Sequence, residues 1–348
     1  MRSFASDNHA GAHPEVLAAV AEASTGHAAA YGADAWTSRA HDLLREQFGA
    51  HARPWLVFNG TAANVLALRV CCRPWEAVVT PATSHLHVDE AGAPEQLGGL
   101  KLLTVAGADG KLDPADVLGS LGRVGDQHAV QPRVVSVANA TELGTVYGVP
   151  ELRALADAAH AHGLLLHVDG ARLANAAVAL DVTLGELTAG AGVDVVSFGL
   201  TKNGALGAEA VVLLREGLGD GFAWLRKQHA QLASKMRVLS AQVVALLDGG
   251  LWARNAANAN AMAARLGAAV AGLDGVRITR PVQANAVFAT LPEGAAERLL
   301  DAAPFYVWDE QTGEVRWMCA WDTTEQDVDV FAAAVRDAVS GSRRGATR

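Results

Sequence analysis

Three polar segments follow apolar runs at points where strands of a sheet would end. Asn59-Gly-Thr61 opens a run that reads as a helix, Asp169 follows Leu164–Val168, and Lys202 follows Val193–Phe198. Free N–H groups at a helix start attract phosphate. A buried carboxylate can hold a proton on a ring nitrogen, and a partly buried lysine amine is freed as a nucleophile. The spacing therefore favours covalent chemistry at one edge of a sheet.

Each segment also has an ordinary structural explanation when it is taken alone. Asn59 can be a simple helix cap, Asp169 can form a structural pair with Arg172, and Lys202 can be a surface lysine. The combination is more specific than its parts. Pyridoxal phosphate needs an amine for its aldehyde, a carboxylate for its ring nitrogen and a cup of hydrogen-bond donors for its phosphate, here called the phosphate cup. The sequence therefore predicts a site for this cofactor.

His85 lies in Thr83-Ser-His-Leu-His87, after the predicted strand Ala77–Thr80. Its imidazole could stack on a cofactor ring, or it could be a satisfied structural histidine. His85 and His87 could also bind a metal from one face of a strand, but no third ligand is evident. We predict no metal site.

The segments that carry these residues read as alternating strands and helices. Strands are expected at Trp55–Phe58, Ala77–Thr80, Leu102–Val105, Arg133–Val137, Leu164–Val168 and 193–198, with helices at Thr61–Cys72 and Glu151–His162. The strands are almost continuously apolar, as in parallel sheets that are buried on both faces. This order predicts an α/β domain of three layers around a mostly parallel sheet.

The last third of the chain has a different pattern. A helical stretch at 232–273 precedes short strands at 276–279, 286–289 and 315–318, and a final helix is expected at 325–339. We therefore expect a large cofactor-binding domain at 1–250 and a smaller α+β domain at 251–348. Residues 340–348 are small, polar and basic, which predicts a solvated, flexible tail.

Composition excludes several classes of protein. Hydrophobic residues make up 51% and charged residues 19%, which is typical of a folded chain. A net charge of −9 disfavours nucleic acid as a partner. The 3 cysteines favour a reducing cytoplasm over a disulfide scaffold. No apolar run reaches the ~18 residues of a membrane span, and we expect neither a membrane partner nor a secretion signal.

Several motifs together resemble the low-specificity L-threonine aldolases, which are fold-type I pyridoxal-phosphate enzymes of the aromatic amino-acid β-eliminating lyase group. The resemblance covers nearly the whole chain, from Phe4 to Asp322. It rests on Ser6-Asp7, Tyr31-Gly-Ala-Asp34, Asn59-Gly-Thr61, His85, Glu90-Ala-Gly92, His167-Val-Asp-Gly-Ala-Arg172, Thr201-Lys202, Met236-Arg237 and Arg316–Asp322.

The resemblance implies a role for each matching residue. Lys202 would bind the cofactor aldehyde beside Thr201, Asp169 the ring nitrogen, Arg172 the phenolic oxygen, and His85 would stack on the ring. The implied phosphate ligands are Gly60, Thr61 and, from a neighbouring subunit, Arg237. The implied substrate contacts are Ser6, Tyr31, Arg172 and Arg316. Such enzymes are dimers or dimers of dimers with sites at the subunit interface.

One position departs from the family pattern. Many members carry a histidine in the loop after the strand at 133–137, whereas this chain has Glu142 there. Three candidates for the base therefore remain, namely His85, Glu142 and a bound water. The expected reaction is cleavage of L-threonine, L-allo-threonine and related amino acids to glycine and an aldehyde. Alternatives are a phenylserine-preferring aldolase, a β-eliminating lyase, or an interaction protein that kept the fold without the cofactor.

Overall fold

Seven strands form the larger sheet in a computed structural model that describes residues 2–345. The strands are β1 Arg53–Val57, β2 Glu76–Pro81, β3 Lys101–Val105, β4 Gln131–Ala138, β5 Leu165–Gly170, β6 Val195–Gly199 and β7 Glu209–Leu213. Their order across the sheet is β1-β7-β6-β5-β4-β2-β3. All neighbours are parallel except β7, which runs antiparallel to both β6 and β1.

Helices cover both faces of this sheet. The α-helices are α1 Pro14–Ala23, α2 Ala35–Phe48, α3 Gly60–Cys71, α4 His85–Val88, α5 Ala93–Gln96, α6 Pro114–Gly119, α7 Val149–Ala161, α8 Leu173–Leu180, α9 Leu184–Leu187, α10 Phe222–Gln228, α11 Arg237–Leu247, α12 Leu251–Val270, α13 Ala295–Leu300 and α14 Glu325–Gly345. Single 3₁₀ turns lie at Asp7–His9, Ala108–Gly110, Ala189–Ala191, Thr201–Asn203 and Asp248–Gly250.

Neighbouring residues of each central strand enter different cores. In β5, Leu165 packs with the helices of one face and Leu166 with those of the other. Val195 and Val196 divide in the same way in β6. Both faces are buried because side chains alternate along a strand while helices cover each side. The prediction of a three-layer α/β domain with a mostly parallel sheet is confirmed.

A smaller antiparallel sheet follows, with strand order β10-β11-β9-β8. Its strands are β8 Arg277–Ile278, β9 Ala286–Thr290, β10 Tyr306–Asp309 and β11 Glu314–Met318. Phe4 packs in the core of this unit, with its ring stacked on Phe331 at 4.2 Å between centroids. The N-terminal segment thus contributes to the core of the smaller unit. The domain boundary expected at Gly250 stays a prediction.

Two expectations about helices are corrected. The stretch at 232–273 is not one helix, because Gly249 and Gly250 adopt positive φ angles of 73° and 72° and end α11 before α12 begins. The tail expected from Ser340 begins as helix, since α14 continues to Gly345. Arg298 supports this end of α14 by donating from Nε to the carbonyl of Ala338 at 2.9 Å. Residues 346–348 of the expected tail lie outside the described residues.

Candidate active site

The predicted cofactor residues line one cavity of about 400 Å³ at the carboxyl ends of the parallel strands. Loops that follow different strands meet there, as in other open α/β sheets. The predicted residues in its wall are Gly60, Thr61, His85, Asp169, Thr201 and Lys202. A smaller adjoining cavity of about 70 Å³ shares Asp169 and Lys202 and adds Arg172 and Glu142. The structure therefore brings the main sequence-predicted groups together.

The predicted phosphate cup is the N-terminus of α3. Asn59 caps this helix, with its Oδ1 accepting the N–H of Ala62 at 2.9 Å. A Cβ on Gly60 would meet no atom within 4 Å, which shows that the helix start opens into free space. The first N–H groups of a helix have no partner within it and carry its positive dipole end. This end of α3 therefore suits an anion such as a phosphate.

Asp169 is buried at the end of β5 and is held by amide donors. Its Oδ2 accepts from Asn64 Nδ2 at 2.8 Å and its Oδ1 from the N–H of Ala171 at 2.9 Å. These contacts fix the direction of the carboxylate and compensate for its burial. Asn64 was missed by the sequence analysis, because nothing in a helical asparagine indicates a partner 105 residues away.

Arg172 pairs with Asp7 and not with Asp169. Its Nε and Nη2 donate to the two carboxylate oxygens of Asp7 at 2.7 and 2.9 Å, and Asn285 adds a third donor at 3.1 Å. Burial alone would raise the pKa of Asp7, but Arg172 and Lys202 lower it to about 2. The pair holds the guanidinium of Arg172 in the wall of the smaller cavity, and its contact with a cofactor stays a prediction.

Lys202 lies in the 3₁₀ turn Thr201–Asn203, directly after β6. The positive charge of Arg172 and burial lower its pKa, so its amine gives up a proton more easily than a surface lysine does. Gly199 makes this position possible. A Cβ there would lie 2.6 Å from Cα of Ala171, so any larger residue would push the ends of β5 and β6 apart.

His85 and Glu142 face the same side of the site. Glu142 accepts the backbone N–H of His85 through Oε1 at 2.7 Å, while its buried Oε2 has no partner within the described residues. Burial raises the pKa of Glu142 to about 7. His85 Nδ1 lies 2.9 Å from Glu90 Oε1, and this hydrogen bond raises the pKa of the histidine. Glu90 Oε1 also accepts from Asn64 Nδ2 at 2.8 Å.

His85 and His87 lie on the short helix α4, so the strand arrangement considered for a metal pair is wrong. Among residues 2–345, no group of three or more His, Cys, Asp or Glu side chains is placed to hold a metal ion. Within the same residues, no helix combines the length and the apolar character of a membrane span.

Ser6 and Arg316 lie at the border between the two sheets. Ser6 Oγ accepts the N–H of Asn8 at 3.2 Å and starts the turn that contains Asp7. Arg316 donates to the carbonyl of Ala5 at 3.2 Å, and its guanidinium carbon lies 4.4 Å from the ring centroid of Trp308. No carboxylate within the described residues pairs with Arg316, and its buried Nε has no partner. Burial and Arg172 lower its pKa to about 10, so it is still charged at neutral pH.

Tyr31 and Arg237 lie away from the Lys202 cavity of their own chain. Arg237 reaches the carbonyls of Thr25 and Gly26 at 3.4 Å each, beside a separate surface hollow. The Tyr31 side chain is 54% exposed, with Lys227 Nζ 5.5 Å from its ring centroid. Neither residue lines the two cavities of the site. Ser6 and Arg316 do not line these cavities either, so the predicted contacts of all four residues with a cofactor or substrate stay predictions.

The cavity walls fit pyridoxal phosphate. An amine of lowered pKa, a carboxylate with fixed direction and an open helix N-terminus lie around one cavity. These groups match the aldehyde, the ring nitrogen and the phosphate of this cofactor. Lys202, Asp169, Gly60 and Thr61 would hold it.

Comparison with known proteins gives consistent results. Residues 3–293 match the family described as Beta-eliminating lyase. A Pseudomonas protein named low specificity L-threonine aldolase is 44% identical over 97% of this chain and 98% of its own length. A protein of the same name from Pseudomonas aeruginosa is 43% identical over 96% of this chain and 97% of its own.

A solved structure of Leishmania major threonine aldolase resembles this one with a TM-score of 0.92 and 31% identity, covering 97% of this chain and all of that one. A putative L-allo-threonine aldolase from Listeria monocytogenes has a TM-score of 0.70 at 18% identity, over 94% of this chain and 95% of its own, and shows the fold alone.

Proposed function

Because this chain belongs to the β-eliminating lyase family, and within it to the low-specificity L-threonine aldolases, we propose that it cleaves L-threonine, L-allo-threonine and related L-β-hydroxy-α-amino acids to glycine and an aldehyde. It is a fold-type I lyase, and the cofactor that its cavity fits is pyridoxal phosphate. The observation that carries the proposal is the meeting of Lys202, Asp169 and the α3 N-terminus around one cavity.

When bound, pyridoxal phosphate supplies the sink for the electrons of the broken Cα–Cβ bond. Asp169, held by Asn64 and Ala171, would accept from the ring nitrogen and keep its proton in place. Lys202 would provide the amine that holds the cofactor aldehyde. His85 lies in the wall of the cavity, where it can stack on the ring.

The substrate carboxylate is assigned to Arg316 and Ser6. Arg316 is partly buried and has no carboxylate partner in the described chain, and its planar guanidinium can bind both oxygens of a carboxylate. Fixing the carboxylate orients the Cα–Cβ bond relative to the cofactor ring. Orientation of this kind accounts for a large part of enzymatic rate enhancement.

We assign the base on the β-hydroxyl to Glu142. Its Oε2 is buried and has no partner among residues 2–345, and its pKa of about 7 lets it accept a proton at neutral pH. The hydrogen bond to Glu90 favours the protonated form of His85, which makes the imidazole a weaker candidate. A carboxylate at this position takes the place of the loop histidine of other family members.

We further propose that the enzyme is a cytoplasmic homo-oligomer with sites at the subunit interface. The three cysteines are free and buried, which agrees with a reducing compartment. Tyr31 and Arg237 lie away from their own chain's cavity, which agrees with sites completed by a second subunit.

The proposal is tested by the absorbance spectrum and the products of the purified protein. A visible band of lysine-bound pyridoxal phosphate, abolished in Lys202→Ala, and glycine with acetaldehyde from L-threonine are the expected results. Pyruvate and ammonia would instead indicate a β-eliminating lyase, and better turnover of phenylserine a different preference. Absence of the band in protein given the cofactor would favour an interaction protein.

A further inference from the structure

Glu209 is a buried carboxyl that the proposed mechanism does not use. It is the first residue of β7 and lies opposite Gly199 of β6 on one side and Val57 of β1 on the other. It is only 6% exposed, yet it lines the same cavity as Lys202. A buried carboxyl is costly unless its oxygens are hydrogen-bonded.

The hydrogen bond of Glu209 goes to the turn that carries Lys202. Its Oε2 accepts the backbone N–H of Leu200 at 2.6 Å, while the hydroxyl of Thr201 donates to the carbonyl of Ala208 at 3.5 Å. Leu200 occupies the N-cap position of this turn, and its apolar side chain cannot accept a hydrogen bond from the turn. Glu209 therefore caps this turn from the neighbouring strand β7.

Glu209 also places a titratable carboxyl next to the amine. Burial raises its pKa to about 7, although the nearby polar groups of Thr201 and the N–H of Leu200 favour its charged form. The charged groups that act on Lys202 are Arg172 and His85, which disfavour its protonated form, and Asp7, Asp169 and Glu209, which favour it. Of the three carboxylates, Asp7 is paired with Arg172 and Asp169 is held by Asn64. Of these three carboxylates, Glu209 is the one that bonds the backbone at the start of the lysine turn, whose other end is held by Asn255 Nδ2 donating to the carbonyl of Asn203 at 2.9 Å.

We propose that Glu209 is a positioning residue, which holds the turn carrying Lys202 by its backbone and gives the cavity beneath that turn a negative charge. The inference rests on Lys202 being the cofactor-binding lysine. It has two separable parts, because glutamine keeps an acceptor for the N–H of Leu200 but loses the charge, whereas alanine loses both.

The charge is tested in full-length protein from which the cofactor has been removed. Acetic anhydride reacts with neutral amines, so the pH dependence of acetylation at Lys202, measured by peptide mass spectrometry relative to exposed Lys101, reports the proton affinity of Lys202. Glu209→Gln removes a favourable charge, and the midpoint for Lys202 should fall by about one pH unit, with roughly tenfold faster labelling below the midpoint. An unchanged midpoint in a folded Gln variant overturns this part.

The hydrogen bond is tested by titrating pyridoxal phosphate into the same proteins. Glu209→Gln should bind the cofactor nearly as tightly as the parent, while Glu209→Ala should bind it roughly 2- to 30-fold more weakly, the range for a lost cap. Equal affinity of the Ala variant and the parent overturns the positioning role. Failure of Lys202→Ala to change cofactor binding would instead refute the proposed function, and the acetylation result would stand.

Glu186 provides the matched control. It also bonds backbone at the start of a short helical turn, accepting the N–H of Thr183 at 2.8 Å, but it does not line the cavity. Glu186→Gln should leave both the acetylation midpoint of Lys202 and the cofactor affinity unchanged. A shift in this control equal to that of Glu209→Gln would overturn the assignment of the effect to the lysine turn.

Discussion

Arg316 is a partly buried charged group that pairs with no carboxylate in the part of the chain that the structure describes. Hydrogen bonds to charged groups contribute about 1.5–3 kcal/mol, and ~1.4 kcal/mol is a factor of ten in rate. Arg316→Lys keeps the charge but loses the paired N–H donors of the planar guanidinium, so kcat/KM should fall roughly 10- to 150-fold. The absorbance of bound cofactor should not change, because the contact is with substrate.

The control for this substitution is Arg277→Lys. Arg277 is exposed on β8 of the same small sheet and lies 3.5 Å from the hydroxyl of Thr290. Its replacement should leave kcat/KM unchanged. If Arg316→Lys retained parental kinetics and lost only thermal stability, the arginine would have a purely structural role in its strand.

Glu142 gives a second prediction, which concerns pH. A base must be ionised to act, and burial raises the pKa of Glu142 to about 7, so kcat/KM should rise as the pH increases through about 7. Glu142→Gln cannot accept the proton. It should lower kcat by about 10²- to 10⁴-fold, the usual share of general-base catalysis, and abolish this limb of the pH profile. Persistence of the limb in a weakened Gln variant would point to His85 or a bound water.

Residues at strand ends could be predicted from the sequence, whereas the contacts that support them could not. Lys202, Asp169 and Thr61 each follow an apolar strand, and topology alone brings strand ends together. Asn64 and Glu90 act through contacts with partners that lie in other elements. Such contacts depend on the docking of helices against the sheet, which no local pattern encodes.

At the scale of elements, the close approach of β5 and β6 places Lys202 beside the cavity. Gly199→Ala would put a Cβ 2.6 Å from Cα of Ala171. We expect a loss of about 1–3 kcal/mol in the free energy of unfolding, typical of overpacking, and weaker cofactor binding because the lysine turn moves. Thermal unfolding and cofactor titration measure the two effects.

A glycine in open space is the matched control for this substitution. A Cβ at Gly119, at the end of α6, would meet no atom within 4 Å, and Gly119 has no positive φ. Gly119→Ala should change neither stability nor cofactor affinity appreciably. A Gly199→Ala variant that behaved like this control would show that the strand ends can separate without cost.

The elements that sequence reasoning missed share a physical cause. β7 begins with a buried glutamate and runs antiparallel, and neither property follows from an apolar run of five residues. β10 is half-exposed at the edge of the small sheet, so it lacks the apolar continuity of the central strands. The break between α11 and α12 depends on φ angles that glycine permits but does not require.

At the scale of the whole molecule, the positions of Tyr31 and Arg237 are the main argument for an oligomer. Both lie on a surface away from the cavity of their own chain, next to residues that form a separate hollow. If this surface meets the cavity of a second copy, each active site combines Lys202 of one chain with Arg237 of the other. Closed symmetric dimers make such an exchange reciprocal.

A mixing experiment tests this arrangement directly. Lys202→Ala lacks the cofactor lysine, and Arg237→Ala should bind phosphate poorly, so each should be inactive at limiting cofactor. In a mixed dimer, one site takes Lys202 from the Arg237→Ala chain and Arg237 from the Lys202→Ala chain, and is intact. Half of randomly exchanged dimers are mixed and each holds one good site of two, so about a quarter of the parental activity should return. Subunit exchange, shown with distinguishable tags but without recovery of activity, would place Arg237 in a structural role within its own chain.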